Sequence, residues 1–547
     1  MATPPVVSVV TPVFNCMPYL RDTLASVYHQ SMPRRDVEMI AVDDGSSDGS
    51  LALLREWADR WPGLRVSTQA PSGGPSAPRN VGIRQARGEF VYFLDGDDCL
   101  GPRALERLVA MARRTHADIV LGREVGVGRK VQGHALRDNV DHFDLTAGLY
   151  QSSATLRKLF RRSLIVDNGL HFPEHVRIRE DQHFVAQSYL AASTVSVVGD
   201  YDCYYAVRRK NGTNITNERL PYGTILSQSA ETVDLIRQEA SPEVVPHMLL
   251  RHVRRDLLQP FGRAFLARPA SEQGEAVEVA RPYAADWVTP EVSAQLSVPD
   301  RLRAVALQRG DLDYLLEVVT WDVDGAHARV LSNADRAVHL LAAPGLGREG
   351  ADLDDDLFVV PPPSLAHHLD FLDWREGRLV LDGHAYLEGV DAGDTGLRVL
   401  ARHRTSKIVV EASVDRVPSP CVNASRGFEV VDYSTAGFHA ELSFLAGSRG
   451  GAELRGEWDV RVVATHAGDR RRGLLGASRA RDLRGSRTSV VVPSTKEALT
   501  VATSFRQGHL RVVVDDRSAA AGGPRTDRGR PSFIAAGAAL RARLRQR

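Results

Sequence analysis

The chain has 547 residues, which at about 150 residues per domain predicts three or four folded units. Hydrophobic residues make up 43% and charged residues 25%, so the composition is that of globular proteins and excludes disordered, collagenous and coiled-coil chains. Lys and Arg total 69 against 68 Asp and Glu, and the formal net charge of +1 gives no indication of a nucleic-acid partner.

Residues 1–220 alternate short β-rich runs with helical patterns, which predicts an α/β domain with a largely parallel sheet. Strands are expected at 6–13, 37–42 and 89–94, and helices at 20–28 and 48–61. Each of these strands runs into polar residues. Because the ligands of open α/β sheets bind beyond the carboxyl ends of the strands, we expect the functional site there.

Residues 221–310 lack such β-rich runs and show helical periodicity, which predicts a helical linker domain. Residues 311–363 are acidic and end in three prolines, which predicts a domain boundary there. We expect this segment to be a connector with short strands near 315–320 and 328–331.

Residues 364–515 alternate apolar and polar side chains with period two, which predicts an antiparallel β-sandwich of the immunoglobulin or carbohydrate-binding type. Residues 516–547 form a basic tail, rich in Ala, Gly and Arg, that is expected to be disordered. The predicted fold class is therefore multidomain α/β plus β. The cysteines lack CxxC spacing, and no segment resembles a signal peptide or a membrane span, so we expect a cytoplasmic protein.

Asp95 and Asp97 follow a predicted buried strand at i, i+2 spacing. Two carboxylates so placed can share Mn²⁺ or Mg²⁺ with a nucleoside diphosphate, whose departure the cation assists by neutralising charge. Alone, such a triplet is more often a solvated acidic turn. Three further motifs accompany it in order: Thr11-Pro-Val-Phe-Asn15, Val42-Asp-Asp-Gly-Ser-Ser-Asp48 and Gly73-Gly-Pro-Ser-Ala-Pro-Arg-Asn-Val-Gly82.

Together the four motifs closely resemble those of the family 2 glycosyltransferases, over about residues 6–215. The resemblance implies the Rossmann-like GT-A fold and an inverting, metal-dependent transfer from a nucleotide sugar, expected to be UDP-GlcNAc or a related UDP-sugar. It implies that the donor is bound by Pro12, Phe14, Asp44, Arg79, Asp95 and Arg208, with the metal on Asp95 and Asp97. The alternatives are a helix N-cap for Asp44 and a surface helix position for Arg79.

Inverting transfer to a sugar hydroxyl needs a carboxylate that takes the proton of the acceptor. The segment Glu180-Asp-Gln-His-Phe184 matches the family's acidic pair ahead of an aromatic residue. The match implies that Asp181 is the catalytic base and that Glu180 contacts substrate. The alternative is a helix N-terminus whose acids face the dipole. Some relatives place a metal-binding His where this chain has Asn214, so the third metal ligand stays open.

The order of the domains resembles that of wall teichoic acid glycosyltransferases, which add N-acetylglucosamine to poly(ribitol phosphate). In those relatives the linker helps to bind the polymer and the C-terminal part drives trimer formation. The resemblance therefore implies an anionic glycopolymer acceptor and a homo-oligomer. Arg251, Arg254 and Arg255 of the linker would bind the phosphates, since guanidinium groups suit phosphate oxygens. A solvated or salt-bridged helix face is the equal alternative.

Two other functions stay open. One is an inactive scaffold that binds glycan through its sandwich, although Asp95, Asp97 and Asp181 argue against it. The other is a transferase that acts on a lipid-linked precursor or other polysaccharide, held at the inner membrane face by the basic segment 540–547.

Overall fold

The computed structural model describes residues 4–516 except 130, 132–137, 145, 147, 177, 210–219, 325–328, 334–337, 348–352, 420–421, 423–430, 445–454, 481–482, 484–488 and 494–497. The described residues form a mixed sheet covered by helices, a helical linker and antiparallel sheets in the C-terminal part. The predicted fold class is confirmed. Asn214 and the tail beyond Asp516 lie outside the described residues.

The first sheet positions the candidate site. Its strands in the described part of the chain are β1 (Val7–Val13), β2 (Val37–Asp43), β3 (Leu64–Thr68), β4 (Phe90–Phe93), β5 (Cys99–Leu100), β6 (Ile119–Val127), β7 (Lys158–Arg161) and β8 (Val195–Val207). Their order is β3-β2-β1-β4-β7-β6-β8-β5. The first four strands in this order run parallel, so the carboxyl ends of β1, β2 and β4 meet at one edge.

Helices cover both faces of this sheet. They are α1 (Leu20–Tyr28), α2 (Ser50–Arg60), α3 (Ser76–Gln85), α4 (Ala104–Thr115), α5 (Leu149–Ser153), α6 (Arg162–Asp167) and α7 (Glu180–Ala191). Val10 and Ile40 belong to the core on one face, and Val9 and Met39 to the core on the other. Burial on both faces explains why β1 and β2 are almost continuously apolar.

The linker shares its core with one face of this sheet. Its helices are α8 (Tyr222–Glu239), α9 (Val245–His252), α10 (Arg263–Leu266), α11 (Ala270–Trp287), α12 (Pro290–Ser293), α13 (Val298–Arg309) and α14 (Leu312–Val323), with a π-helical turn at Val253–Leu258 after α9. Leu226, Leu257 and Leu315 lie in the same buried cluster as Val10 and Ile40. The linker is therefore packed onto the sheet rather than tethered to it.

The strand expected near 315–320 is wrong, because these residues belong to α14. The Asp311 side chain caps the helix by accepting the N–H of Tyr314 at 2.9 Å. Leu315 and Val319, four residues apart, are both buried in the core that the linker shares with the first sheet. A short apolar run fits strand and helix equally well by periodicity, and packing of α14 against α13 decides for the helix. Short antiparallel strands follow as β9 (Val330–Asn333), β10 (Val338–Leu341) and β11 (Val359–Val360).

Two antiparallel sheets face each other in the C-terminal part. Their described strands are β12 (Leu365–Arg375), β13 (Arg378–Leu387), β14 (Gly396–His403), β15 (Val409–Glu411), β16 (Ser413–Val417), β17 (Gly437–Leu442), β18 (Gly456–His466), β19 (Asp469–Leu474), β20 (Ser489–Pro493), β21 (Ala498–Arg506) and β22 (His509–Asp516). One sheet has the order β12-β13-β17-β16, and the other β15-β14-β18-β22-β21-β20 with β19 beside β18. Leu381 and Phe438 of the first pack with Trp458 and Val512 of the second. Among all helices that the structure describes, none combines the length and apolar character needed to cross a bilayer.

Candidate active site

Arg79 connects two acidic segments at the edge of the first sheet. Its Nη2 donates to Asp95 Oδ1 at 2.8 Å, and its Nη1 donates to Glu180 Oε1 at 2.6 Å. The residue is 4% exposed and its guanidinium lies 5.3 Å from the ring centroid of Phe172. Arg79 is therefore not the surface arginine of the alternative interpretation. It holds the end of β4 close to the N-terminus of α7.

Glu180 and Asp181 begin α7 in different surroundings. Burial raises the pKa of Glu180 to about 7, with Asp181 adding to the rise and Arg79 opposing it. Asp181 is partly exposed, and no described residue makes a hydrogen bond or ion pair with its carboxylate. Of the two acids, Asp181 thus has the carboxylate that is open to an incoming group.

Asp97 is paired with Arg209, which follows β8. Arg209 Nε donates to Asp97 Oδ2 at 2.6 Å, and Nη1 donates to Asn15 O at 3.1 Å. Burial and the charge of Asp95 raise the pKa of Asp97, while Arg209 lowers it. A cation at this position therefore relieves the crowding of negative charge at the end of β4.

Asp98 is hydrogen-bonded to two residues near the end of β8. Its carboxylate accepts hydrogen bonds from the Tyr204 hydroxyl at 2.6 Å and from Val207 N at 2.7 Å. Burial, followed by the charge of Asp97, raises the pKa of Asp98 to about 8. Sequence patterns did not single out Asp98 or Arg209. The signals available were the third acid of Asp95-Gly-Asp-Asp98 and the second arginine after β8.

Asp44 lies at the end of β2 and is buried. Its carboxylate accepts from Gln69 Nε2 at 2.7 Å and from Ser72 Oγ at 2.9 Å. It does not cap α2, whose N-cap residue is Gly49, so the alternative of an N-cap role is wrong. Gly45 beside it has φ +80°, and an added Cβ would lie 2.7 Å from Pro71, which explains the glycine.

The other predicted donor residues lie around the same edge. Pro12 pairs with Val42 near the end of β1, and Phe14 is 50% exposed just beyond that strand. Arg208 has an exposed side chain, and its backbone N–H donates to Val127 O. Its neighbour Arg209, not Arg208, therefore contacts the acidic cluster.

The predicted polymer-binding arginines are on the linker side. Arg251 Nη1 donates to Gln151 O at 3.0 Å, while its Nε is buried without a hydrogen-bond partner. Arg254 donates to the side chain of Gln151 and to Gln295 O. Arg255 is exposed and, with Arg254, lines an open cleft of about 370 Å³.

None of the three arginines forms an ion pair with a carboxylate in the described part of the chain. The interpretation of a salt-bridged helix face therefore does not apply to these residues. Of the three, Arg255 has the exposed side chain that an anion can reach, whereas Arg251 and Arg254 are partly buried and donate to protein oxygens.

The donor set at Asp95 and Asp97 fits a divalent cation in part. Two carboxylates suit Mn²⁺ or Mg²⁺, which complete their coordination with phosphate oxygens and water. No group of three or more His, Cys, Asp or Glu residues converges on a metal position within the residues described. The protein would therefore supply two ligands and the donor diphosphate the others.

Comparison with known families agrees with this geometry. The family described as glycosyl transferase family 2 matches residues 8–168, which contain Arg79 and the acidic end of β4. Residues 8–168 therefore form a family 2 glycosyltransferase domain. A second family, described as the glycosyl transferase TarS linker domain, matches residues 224–319. That match extends into α14, beyond the boundary at 310 that the sequence suggested.

Two relatives are named as poly(ribitol-phosphate) glycosyltransferases. The chain is 27% identical over 488 residues to poly(ribitol-phosphate) β-glucosyltransferase of Bacillus spizizenii, and the match covers 87% of this chain and 72% of that one. It is 34% identical over 205 residues to TarS of Staphylococcus aureus, a poly(ribitol-phosphate) β-N-acetylglucosaminyltransferase. The latter match covers 37% of this chain and spans only 36% of TarS.

Solved structures of S. aureus TarS share the fold. The TarS crystal structure matches 96% of this chain and 88% of its own, with a TM-score of 0.63 at 20% identity, which shows the fold alone. A structure of TarS 1–349 in complex with UDP-GlcNAc matches 63% of this chain and 97% of its own, with a TM-score of 0.55 at 26% identity.

Proposed function

We propose that this glycosyltransferase moves a sugar, with inversion, from UDP-GlcNAc or a related UDP-sugar to a hydroxyl of poly(ribitol phosphate) or a similar anionic cell-wall polymer. The observation that carries the proposal is the bridge that Arg79 makes between Asp95 and Glu180. It brings the acidic end of β4 to the helix that bears Asp181. A donor-binding edge and a candidate base thus lie on either side of one guanidinium.

The donor would lie along the ends of β1, β2 and β4. Phe14 offers an exposed ring for the base, and Arg208 offers an exposed cation to the diphosphate. Asp44 is buried and accepts from Gln69 and Ser72, so it would exchange one of these hydrogen bonds to bind the ribose or base. A divalent cation on Asp95 and Asp97, when bound, would neutralise charge that accumulates on the departing diphosphate. The UDP complexes of TarS support UDP as the nucleotide.

The chemical step is a single displacement. The acceptor oxygen forms a bond to the anomeric carbon on the face opposite UDP, and the bond from that carbon to the β-phosphate oxygen breaks. UDP leaves with the bonding electron pair, and Asp181 takes the proton of the acceptor hydroxyl. Glu180 is held by Arg79, so it orients the site and contacts substrate without acting as the base.

The acceptor would approach from the linker. Arg251, Arg254 and Arg255 present charges without carboxylate partners among the described residues, and a phosphate polymer supplies the missing anions. The names of the B. spizizenii and S. aureus relatives favour poly(ribitol phosphate) over a lipid-linked precursor. We further propose a homo-oligomer formed through the C-terminal sheets and a cytoplasmic enzyme that works at the inner membrane face.

The test is a screen of UDP-GlcNAc, UDP-glucose and UDP-galactose against poly(ribitol phosphate) and poly(glycerol phosphate), with UDP release and polymer labelling as readouts. The proposal expects Mn²⁺-dependent labelling of poly(ribitol phosphate) by one donor, abolished by a chelator. Binding of polymer without turnover of any donor would instead support a glycan-binding scaffold. Labelling of a lipid-linked precursor alone would overturn the polymer acceptor.

A further inference from the structure

The residue that precedes α7 has an unusual backbone. Arg179 is the N-cap residue of this helix, and its φ of 79° with ψ of 12° places it in the left-handed region. That region favours glycine, since the Cβ of other residues crowds the backbone. Its carbonyl accepts from Gln182 N at 3.0 Å, so this backbone sets the first turn that carries Glu180 and Asp181.

The Arg179 side chain is held by the linker. Its guanidinium forms an ion pair with Asp256, which is fully buried. Asp256 also accepts from Ser229 Oγ at 2.8 Å and lies 2.9 Å from Nδ1 of His252. It belongs to the π-helical turn Val253–Leu258, and such turns are frequent at functional positions.

Two more contacts tie the same turn of α7 to the linker. Nε2 of His252 lies 3.1 Å from the Tyr150 hydroxyl, which donates to Gln182 O at 3.4 Å. His183 Nδ1 lies 3.3 Å from Thr232 Oγ1 of α8. The first turn of α7 is therefore fixed by the linker through side chain, backbone and packing.

We infer that Asp256 is a positioning residue for Asp181 and acts through Arg179. Asp256 holds the guanidinium of Arg179, and the left-handed backbone of Arg179 sets the direction in which α7 begins. This inference rests on the proposed role of Asp181 in sugar transfer. The linker thus contributes to the chemical step and not only to acceptor binding. Removal of a buried partner leaves the other charge uncompensated, which makes the pair sensitive to single replacements.

The decisive comparison is between Arg179→Ala and Arg179→Gly in the full chain. Glycine adopts the left-handed conformation without a side chain to hold it, whereas alanine does not. We expect R179A combined with Asp256→Asn to lower kcat about 10- to 100-fold, as misplacement of a reacting group does, with KM for the UDP-sugar unchanged. R179G combined with Asp256→Asn, which removes the unpaired buried charge, should keep kcat within about threefold of wild type.

Asp256→Asn is tested in the wild-type chain and in the R179G variant. We expect D256N to lower kcat in the wild-type chain and to have no such effect beside R179G. Replacement of Arg237, which pairs with Asp286 elsewhere in the linker, is the control ion pair and should leave kcat unchanged. If R179G with D256N is as slow as R179A with D256N, the guanidinium acts directly and the positioning inference is wrong.

Hydrogen–deuterium exchange separates this inference from the proposed function. The first turn of α7 should exchange faster in D256N and R179A than in wild type, whether or not a donor and acceptor have been found. Unchanged exchange in both variants would overturn the inference. Absence of transfer by wild type with every donor, together with faster exchange in the variants, would overturn only the proposed function.

Discussion

The guanidinium of Arg209 lies 2.6 Å from the carboxylate of Asp97, although 112 residues separate them in the chain. The ion pair brings the segment that follows β8 next to the segment that follows β4. It also places a protein cation on one of the two carboxylates proposed to hold a metal. Arg209 and a divalent cation would therefore compete for Asp97.

Replacing Arg209 by Ala should raise the affinity of the nucleotide-free enzyme for Mn²⁺. We expect about tenfold tighter binding, which corresponds to about 1.4 kcal/mol, because the competing cation is gone. Isothermal titration with Mn²⁺ alone measures the effect. Arg208→Ala is the matched variant: it should leave Mn²⁺ binding unchanged and weaken UDP binding. Equal Mn²⁺ affinity in R209A and wild type would contradict the competition.

Replacing Asp181 by Asn should lower kcat by about 10²- to 10⁴-fold, the range that a positioned base contributes. UDP-sugar binding should persist, because Asp181 lies on the acceptor side in the proposed arrangement. Steady-state kinetics together with a UDP-sugar titration check both statements. Asp167→Asn, an exposed acid at the end of α6, should be fully active. Normal turnover in D181N would remove Asp181 from the mechanism.

Glu180 should make stability depend on pH. Its folded-state pKa of about 7 lies above the unfolded value of about 4.3, so the folded chain keeps a proton that the unfolded chain releases. The contribution of this group to stability is therefore greatest at acidic pH and is lost as the pH rises toward 7. Glu180→Gln should show a smaller fall in Tm between pH 5 and pH 7 than wild type.

The control for this pH effect is Glu106, whose pKa is shifted in the opposite direction. Hydrogen bonds from Arg103 and Ser31 lower the pKa of Glu106 to about 2, so its contribution changes only below the unfolded pKa. Glu106→Gln should therefore leave the difference in Tm between pH 5 and pH 7 unaltered. The same slope in E180Q and wild type would show that Glu180 ionises normally.

Asp98 should tolerate Asn but not Ala. With its pKa raised to about 8 the group is largely protonated at pH 7, so an amide of similar shape can replace it, with Oδ1 accepting from Val207 N and Nδ2 donating to the Tyr204 oxygen. Alanine leaves the Tyr204 hydroxyl and Val207 N buried without an acceptor, which costs about 1–3 kcal/mol. Thermal unfolding of both variants measures the contrast. Equal destabilisation by D98N and D98A would mean that the carboxyl is charged in the folded protein.

Replacing Arg255 should weaken acceptor binding and leave donor binding unchanged. Its side chain is exposed on the linker cleft, so Arg255→Ala should raise KM for poly(ribitol phosphate) about three- to tenfold and weaken its salt dependence. UDP binding should not change. Arg237→Ala removes a linker charge that Asp286 already neutralises and serves as control. An unchanged KM in R255A would place the polymer elsewhere.

The sequence by itself determined the architecture and the local motifs. Apolar runs such as Val7–Val13 and Val37–Asp43 specify strands buried on both faces, and the period-two pattern after 364 specifies the facing sheets. The acids at Asp95, Asp97 and Asp181 were recognisable because their motifs are short and continuous in the chain. Local order of this kind depends on neighbours a few residues away, which a sequence displays directly.

Only the tertiary structure decided which residues meet. Arg79 reaches Glu180 across 101 residues, Arg209 reaches Asp97, and Asp256 of the linker reaches Arg179. No periodicity encodes such pairs, because each joins residues that lie far apart in the chain. Packing also explains why residues 315–320 are helical. A short apolar run fits a strand or a helix, and contacts with neighbouring elements decide between the two.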